Sequence, residues 1–322
     1  MTHVARHVDH VLKTASHPAA AARSRLAASW MRSLTHHGLD PAQRAGVQRI
    51  TEGALRERHE RAGRMRAIAA PQMDALFRLV DGSGCGVLLT DAEGVVLDLR
   101  AAEGDTATFE HWGLAPGHDW SEGSEGTNGI GTCIAERREV IIHRDQHFRA
   151  RNTAMSCMDA PIFGAQGELI GALDVSSARA DQTEGFNQLI AAVVAQTARK
   201  IEAAHFRAAF PGTRIISAAS DEEADAVTLL AVDADDILRG ATRGARKAFR
   251  LAPTGPVTPL PASDIFGRAD GPTGFEKAER AAVNRALARA GGNVSAAARS
   301  LGIGRATLYR RMKRLGLSES AA

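Results

Sequence analysis

Residues 275–317 carry the pattern that most constrains the fold, because three short apolar periods are separated there by glycines. Apolar residues recur at three- and four-residue spacing over 278–290, which predicts an amphipathic helix that ends at the Gly291–Gly292 pair. A second helix is predicted over 294–301, and Gly302 fits the tight turn that leads into a third helix. The segment is therefore expected to form a small all-α module.

The third helix is two-faced. Leu308, Met312 and Leu315 are spaced for a buried stripe. The remaining positions are predicted to face double-stranded DNA, with Arg310 reading a guanine edge and the other cations meeting phosphates. They are Arg305, Ala306, Thr307, Tyr309, Arg310, Arg311, Lys313 and Arg314.

The charge of this end of the chain favours the same interpretation. Residues 275–322 contain ten Lys and Arg against three Glu, whereas the whole chain has a net charge of only +3. A basic end on a near-neutral body is the electrostatic footprint of a nucleic-acid module. A three-helix bundle with a solvated cationic face would show the same charges.

The stretch from Gly292 to Lys313 closely resembles the Fis-type helix-turn-helix that usually ends sigma-54-dependent activators. Gly304 departs from that motif, which often has Ser as the cap of the third helix. The resemblance implies a DNA-binding domain over 275–322 and a homodimer that reads inverted repeats. It also implies that the first helix, 275–290, contributes to dimerisation.

The middle of the chain mixes short strands with helices. Apolar runs over 86–91 and 95–99 flank a Gly-containing turn and predict a β-hairpin, and the same pattern returns over 160–175. A helix over 126–136, a strand over 139–143 and a long helix over 183–210 are predicted around them. These elements indicate one α+β domain, which we assign to residues 74–210.

Residues 117–133 form a loop rich in glycine with interleaved polar residues, followed by a helix. Free N–H groups at a helix start could hold an anion or a carbonyl group. Ordinary packing of a loop against a helix would need the same residues.

This loop resembles the sensory GAF domain of regulators similar to the acetoin catabolism activator, as do Val140–His143, 157–163 and 171–175, and in the N-terminal region 29–33 and 38–41. The resemblance implies an antiparallel sheet with flanking helices and a cavity for a small-molecule effector. The side chains expected to bind that effector are Trp120, Thr127, Asn128, Gly129, Cys133, His143, Cys157 and Asp174.

The other regions are assigned from pattern and composition. Residues 1–73 are predicted to be helical, with one stripe formed by Leu26, Trp30 and Leu34 and a second helical stretch over 41–73. Residues 211–251 resemble a shortened PAS domain, in which Asp236 and Ala241–Thr242 depart from the usual pattern. The Pro and Gly density of 252–274 indicates a linker.

The sequence contains no GxxxxGK[ST] phosphate-binding loop and no Gly-Ala-Phe-Thr-Gly-Ala segment. The central ATPase of sigma-54 activators therefore has no counterpart between sensor and DNA-binding module. We expect a regulator that is not an enzyme and needs no cofactor, with RNA polymerase or a full-length paralogue as further candidate partners.

Three cysteines without CxxC spacing leave two alternatives open. Cys133 and Cys157 with His143 could form a metal- or redox-sensing site, or the domain could be an enzyme of the methionine sulfoxide reductase kind. Neither alternative has diagnostic spacing, and a free cysteine is often a small core residue. The sparse cysteines, together with the lack of an apolar signal segment or membrane-length apolar run, predict a cytoplasmic protein with no membrane contact.

Overall fold

A computed structural model describes residues 2–177, 183–218, 227–265 and 274–317. The chain divides into two compact units, Met1–Ala262 and Ser263–Ala322. The first mixes helices with two antiparallel sheets, and the second is helical. The fold is therefore α+β with an all-α C-terminal module, as the sequence predicts.

The first unit begins with three helices, of which the first and the third are capped by side chains. Thr2 and Ser24 accept hydrogen bonds from the N–H groups of Ala5 and Ala27, so each satisfies an otherwise unpaired donor. The indole of Trp30 is buried in an apolar cluster that includes Phe148 from the middle of the chain. The helices are α1 (His3–Ala15), α2 (Pro18–Arg23) and α3 (Arg25–Met31), and α3 continues as a π-helix over Arg32–His36.

The second helical stretch is shorter than the sequence suggests. Residues 37–51 contain no helix, and helical structure resumes as α4 (Glu52–Arg61) and α5 (Gly63–Val80). Gly38 adopts a left-handed φ of 64°, and Arg49 forms an isolated bridge with His118. The backbone of this segment thus pairs with a distant loop, and this pairing prevents the helix that its composition favours.

A five-stranded antiparallel sheet forms the centre of the unit, with strand order β2-β1-β5-β4-β3. The strands are β1 (Cys85–Asp91), β2 (Val96–Arg100), β3 (Val140–His143), β4 (Ser156–Phe163) and β5 (Leu169–Ser177). The helices after β2 are α6 (Thr106–Trp112), α7 (Glu122–Glu125), α8 (Gly129–Glu136) and α9 (Glu184–Ala209).

The two faces of the sheet are buried differently, because successive side chains of a strand alternate between faces. Met158, Leu173 and Val175 point into the main apolar core with α5 and α9. Cys157 points to the opposite face, where it packs with Ile130 of α8. The sheet is consequently covered on both sides.

Residues 211–262 complete the first unit with a small antiparallel sheet, and the part predicted as linker is fixed up to Ala262. Leu238 N–H donates to Leu260, and the buried Arg246 donates to the carbonyls of Ala252 and Gly255. The elements are β6 (Arg214–Ser217), β7 (Leu229–Val232), β8 (Leu238–Ala241) and α10 (Arg243–Ala248). The short helix α11 (Ala262–Ile265) begins at the last residue of this unit.

The second unit contains the three predicted helices, α12 (Gly274–Arg289), α13 (Val294–Ser300) and α14 (Arg305–Arg314). Their small core joins Val283, Ala297, Leu308 and Met312. Gly302 has a left-handed φ of 67°, as a tight helix–helix turn requires. In the part of the chain that the structure describes, no helix has the length and apolarity needed to cross a membrane.

Candidate ligand site and nucleic-acid interface

Four buried polar side chains form a polar block on the sheet face that α8 covers: Cys157, Asp159, Asp174 and Ser176. Cys157 lies directly opposite Ser176, and Asp159 directly opposite Asp174, on the adjacent strands β4 and β5. The block follows from the strand period of two, since residues 157 and 159 share one face and so do 174 and 176.

When both are ionised, the two carboxyl groups of the polar block have no hydrogen-bond donor within bonding geometry among the described residues. Burial raises the pKa of Asp174 to about 7. Burial and the neighbouring Asp174 raise the pKa of Asp159 well above its usual value. Two like charges side by side in a dry interior cannot both ionise cheaply, so the pair holds a proton at neutral pH.

The thiol of Cys157 is held by its neighbours. His147 Nε2 lies 3.4 Å from Cys157 Sγ, and Ser176 Oγ donates to that sulfur over 3.2 Å. Burial lowers the pKa of His147 to about 4, so the imidazole is neutral; its Nδ1 donates to the carbonyl of Arg144. With Nδ1 protonated, Nε2 accepts from the thiol. Burial also raises the pKa of Cys157 well above its usual value, which keeps the group a thiol.

The first turn of α8 closes over the polar block. A Cβ atom on Gly129 would lie 2.0 Å from Asp159 Oδ2, so only glycine fits there. Asn128 caps the helix by accepting from Gly131 N–H over 2.8 Å and also donates to the carbonyls of Trp120 and Gly126. The Gly131 N–H at the start of α8 is thus already bonded to Asn128 and does not point to a ligand as a free donor.

The glycine-rich loop is tied to the N-terminal helices. Ser29 Oγ donates to Glu122 and lies 2.7 Å from Thr127 Oγ1. Arg32 donates to both carboxyl oxygens of Glu122, each over 2.9 Å. Glu125 of the same loop is paired with Arg151. The N-terminal segment is therefore part of the predicted sensory site.

A cavity of about 120 Å³ lies where α3, α8 and β3 meet. Thr127, Thr132 and Gln146 supply polar groups to its lining, and Leu26 and Ile142 supply apolar ones. This volume admits a small polar molecule of a few heavy atoms.

The structure brings together only part of the predicted ligand set. Gly129, Cys133, Cys157 and Asp174 surround one buried region, and Asp159 and Asp174 help raise the pKa of Cys133 in addition to its burial. Thr127 lines the cavity, whereas Trp120 is packed in the apolar cluster beside it and donates to Gly113 over 2.6 Å.

His143 does not join the cysteines. Its Nδ1 lies 2.6 Å from Ser156 Oγ and 3.0 Å from Asn187 of α9. Ser156 precedes Cys157 on β4, so His143 and Cys157 lie on opposite faces of the sheet. Among the described residues, no three His, Cys, Asp or Glu side chains form a group that could hold a metal ion.

Helix α14 has one buried face and one exposed face. Leu308, Met312 and Leu315 are buried, and Thr307 and Tyr309 are half-buried. The fully exposed positions are Arg305, Ala306, Arg310, Arg311, Lys313 and Arg314.

These cations differ in their contacts within the unit. Arg311 and Arg314 both pair with Glu279 of α12, with a distance of 3.0 Å for Arg311. Among the described residues, neither Arg310 nor Lys313 forms an ion pair. Arg310 and Lys313 thus carry charges that no described carboxylate neutralises.

Comparison with known families accounts for both units. The GAF domain family matches residues 64–204, and the family of bacterial regulatory proteins named Fis matches residues 274–315. The chain combines a GAF domain with a Fis-family helix-turn-helix. Only residues 205–273 separate the two matches, and the central ATPase domain is absent from this interval.

The chain is similar in sequence to named transcription regulators. It is 34% identical over 178 residues to the acetoin catabolism regulatory protein of Cupriavidus necator, covering 55% of this chain and 27% of the relative. It is 27% identical over 154 residues to the acetoin dehydrogenase operon transcriptional activator AcoR of Bacillus subtilis, covering 48% and 25%. The chain thus spans about a quarter of the length of these relatives.

A solved structure shows the same fold. A chain from the crystal structure of the E. coli DhaR(N)–DhaL complex superposes with a TM-score of 0.51 at 14% identity, covering 72% of this chain and 78% of that one. At this identity the likeness concerns the fold alone.

Three features of the GAF domain site were not predicted from the sequence. Asp159 completes the carboxyl pair, and the signal for it was an acidic residue two positions after Cys157 within an apolar strand. The contacts of Ser29 and Arg32 with Glu122 join residues about 90 positions apart, and no local pattern indicates such a pairing.

Proposed function

We propose that this chain is a one-component transcription regulator that binds operator DNA as a homodimer through α14. The observation that carries the proposal is the two-faced α14, with Leu308 and Met312 buried and Arg310 and Lys313 exposed without ion pairs among the described residues. A recognition helix in the major groove needs such a face, and dimers of helix-turn-helix modules read two-fold operators.

The test is fluorescence anisotropy with the promoter DNA next to its own gene, measured over a salt series. We expect nanomolar binding that is at least a thousandfold tighter than to scrambled DNA. Arg310→Ala should weaken operator binding about 10- to 100-fold while nonspecific binding changes little. Arg285→Ala is the matched control, because it removes an exposed arginine of α12 outside the reading face. An equal loss of operator affinity in both variants would show that Arg310 contributes only its positive charge and does not read a base.

We further propose that the GAF domain senses a small polar effector between α3, α8 and β3. The supporting observation is the cavity of about 120 Å³, to which Thr127, Thr132 and Gln146 present polar groups. A small ligand carrying hydroxyl groups would pair with these side chains.

Acetoin is the first probe, because two relatives are named for acetoin regulation and its size suits the cavity. A rise in melting temperature with acetoin, lost in Thr127→Val, would support the site. An unchanged melting temperature with acetoin and similarly small hydroxylated compounds would contradict it. DNA affinity measured with the same compounds then shows whether the effector changes operator binding, with RNA polymerase or a full-length paralogue as the downstream partner.

A further inference from the structure

A second, larger cavity lies at the open edge of strand β4. The last residue pair between β3 and β4 is Val140 with Asp159, so β4 has no strand partner on that side beyond Asp159. Pro161 has no backbone N–H that it could donate to another strand. The N–H of Phe163 already donates to Glu202 of α9 over 2.8 Å. The edge is thereby closed to another strand. A cleft of about 540 Å³ remains there.

Five cations from three separate elements line this cleft, which we call the basic cleft. They are Arg137, Arg138, Arg199, Arg243 and Lys247. Convergence of cations from the end of α8, from α9 and from α10 is a tertiary feature and does not follow from any run of charge in the sequence.

Two of these arginines, Arg137 and Arg243, have no carboxylate partner among the described residues. Arg199 is paired with Glu139 over 3.0 Å, and Arg138 with Glu136 over 2.6 Å. Glu202 accepts the Phe163 N–H, and burial raises the pKa of Glu202 to about 7, so its charge is partly lost at neutral pH. Neither Arg137 nor Arg243 forms an ion pair with a described carboxylate.

Two features hold these arginines in place. Arg243 stacks on the Phe163 ring, with the guanidinium carbon 4.2 Å from the ring centre. Arg137 ends α8 with a left-handed backbone, φ 51° and ψ 41°. Glycine is the usual residue at such a position, and a non-glycine residue there costs free energy. Arg137 therefore stands at a position where glycine would be less strained.

Apolar residues also line the basic cleft and supply what we call its apolar floor, among them Ala160, Pro161 and Ala198. A concave apolar floor with a few convergent charged groups is typical of a small-molecule site, and the volume lies in the usual range. Guanidinium groups match phosphate oxygens in geometry and charge.

We propose that the basic cleft binds a phosphorylated small molecule, with its phosphate held by Arg137 and Arg243 and its carbon skeleton against Pro161 and Ala198. This site is separate from the polar block and from α14. It would give the regulator a second chemical input next to the effector site beside Thr127, with which it shares the lining residue Arg138.

The test is isothermal titration of the full chain with inorganic phosphate at constant ionic strength, followed by ribose 5-phosphate as an organic phosphate. We expect saturable binding, tighter for the organic phosphate because its skeleton reaches the apolar floor. Arg243→Gln and Arg137→Gly should each weaken binding at least tenfold. Arg137→Gly is the sharper variant, since relief of the left-handed strain should raise the melting temperature while binding is lost.

Two control variants locate the binding. Arg78→Gln removes an exposed arginine of α5 and should leave phosphate affinity unchanged. Arg310→Ala should also leave it unchanged, which separates the basic cleft from the DNA-binding helix. The proposal is overturned if phosphate gives no saturable binding, if Arg137→Gly binds as tightly as the wild type, or if only an acidic peptide binds.

Discussion

Asp159 and Asp174 face each other across adjacent antiparallel strands, and both are fully buried. Such a pair opposes folding once both groups must ionise, because the unfolded chain hydrates the charges freely. The pair therefore lowers the stability of the fold most at a pH where both carboxyl groups are ionised.

The pH dependence of stability should show this pair. The pKa of Asp174 is raised in the folded state to about 7 by burial, so the native chain binds more protons than the unfolded chain between about pH 4 and 7. Protonated Asp174 therefore contributes to the free energy of unfolding at acidic pH. This contribution is lost as the pH rises through the folded-state pKa of about 7.

Asp174→Asn should raise the free energy of unfolding at pH 8 by on the order of 2 kcal/mol, because the amide is uncharged and can donate to Asp159. Urea titrations at pH 5 and pH 8 measure the difference. Asp74→Asn is the control, since Asp74 forms an exposed pair with Arg100. A gain at pH 5 as large as that at pH 8 would contradict the assignment.

Glu122→Gln should loosen the N-terminal helices from the GAF domain. The variant weakens the paired hydrogen bonds to Arg32 and the one from Ser29, and should cost roughly 1–3 kcal/mol. Hydrogen exchange should rise in α3 first. Glu52→Gln disrupts the exposed pair with Arg49 and should change stability by less than about 1 kcal/mol. Unchanged exchange in α3 would show that Glu122 does not hold the segment.

Gly129→Ala should be severely destabilising. The added methyl group would lie 2.0 Å from Asp159 Oδ2 and 2.5 Å from Cys157 Cβ, in a region with no room to relax. We expect a loss of about 3 kcal/mol or more, read from the urea midpoint. Gly185→Ala adds the same methyl group on α9 with no heavy atom within 4 Å, and should stabilise by up to about 1 kcal/mol. Similar midpoints for the two variants would refute the close packing.

Gly304→Ser should stabilise the C-terminal module. Gly304 is the N-cap of α14 with φ −69° and ψ 148°, and it offers no side-chain oxygen to the helix. Serine fits this backbone and would accept a hydrogen bond from the first turn, adding a few tenths of a kcal/mol. Hydrogen exchange of α14 measures the effect, with Gly304→Ala as the control that adds bulk without a cap. Slower exchange in both variants would rule out capping as the cause.

The cysteines should be unreactive in the native chain. Burial raises the pKa of Cys133 and Cys157 well above the usual value, and the thiolate is the reactive form. DTNB at pH 8 should label neither residue until urea unfolds the chain. Rapid labelling of Cys157 before unfolding would revive the redox-sensing alternative, and Cys157→Ser identifies which thiol reacts.

Local patterns were enough to predict the GAF strands and the Fis-type helices. The hairpin of β1 and β2 and the helices α12 to α14 lie where periodicity and glycine positions put them, because such elements depend on neighbours a few residues away. The segment 41–51 was wrongly predicted as helical, since the bridge of Arg49 to His118 is a contact with a distant loop.

The sequence by itself determined the two modules, the absence of an ATPase domain between them and the buried and exposed faces of α14, all of which are encoded within single elements. Tertiary structure decided which side chains meet. Strand pairing placed Asp159 opposite Asp174 and put His143 on the other face from Cys157. The N-terminal Ser29 reached Glu122, and the arginines of α8, α9 and α10 converged on one cleft. These arrangements depend on strand register and packing between distant segments, which no short-range pattern specifies.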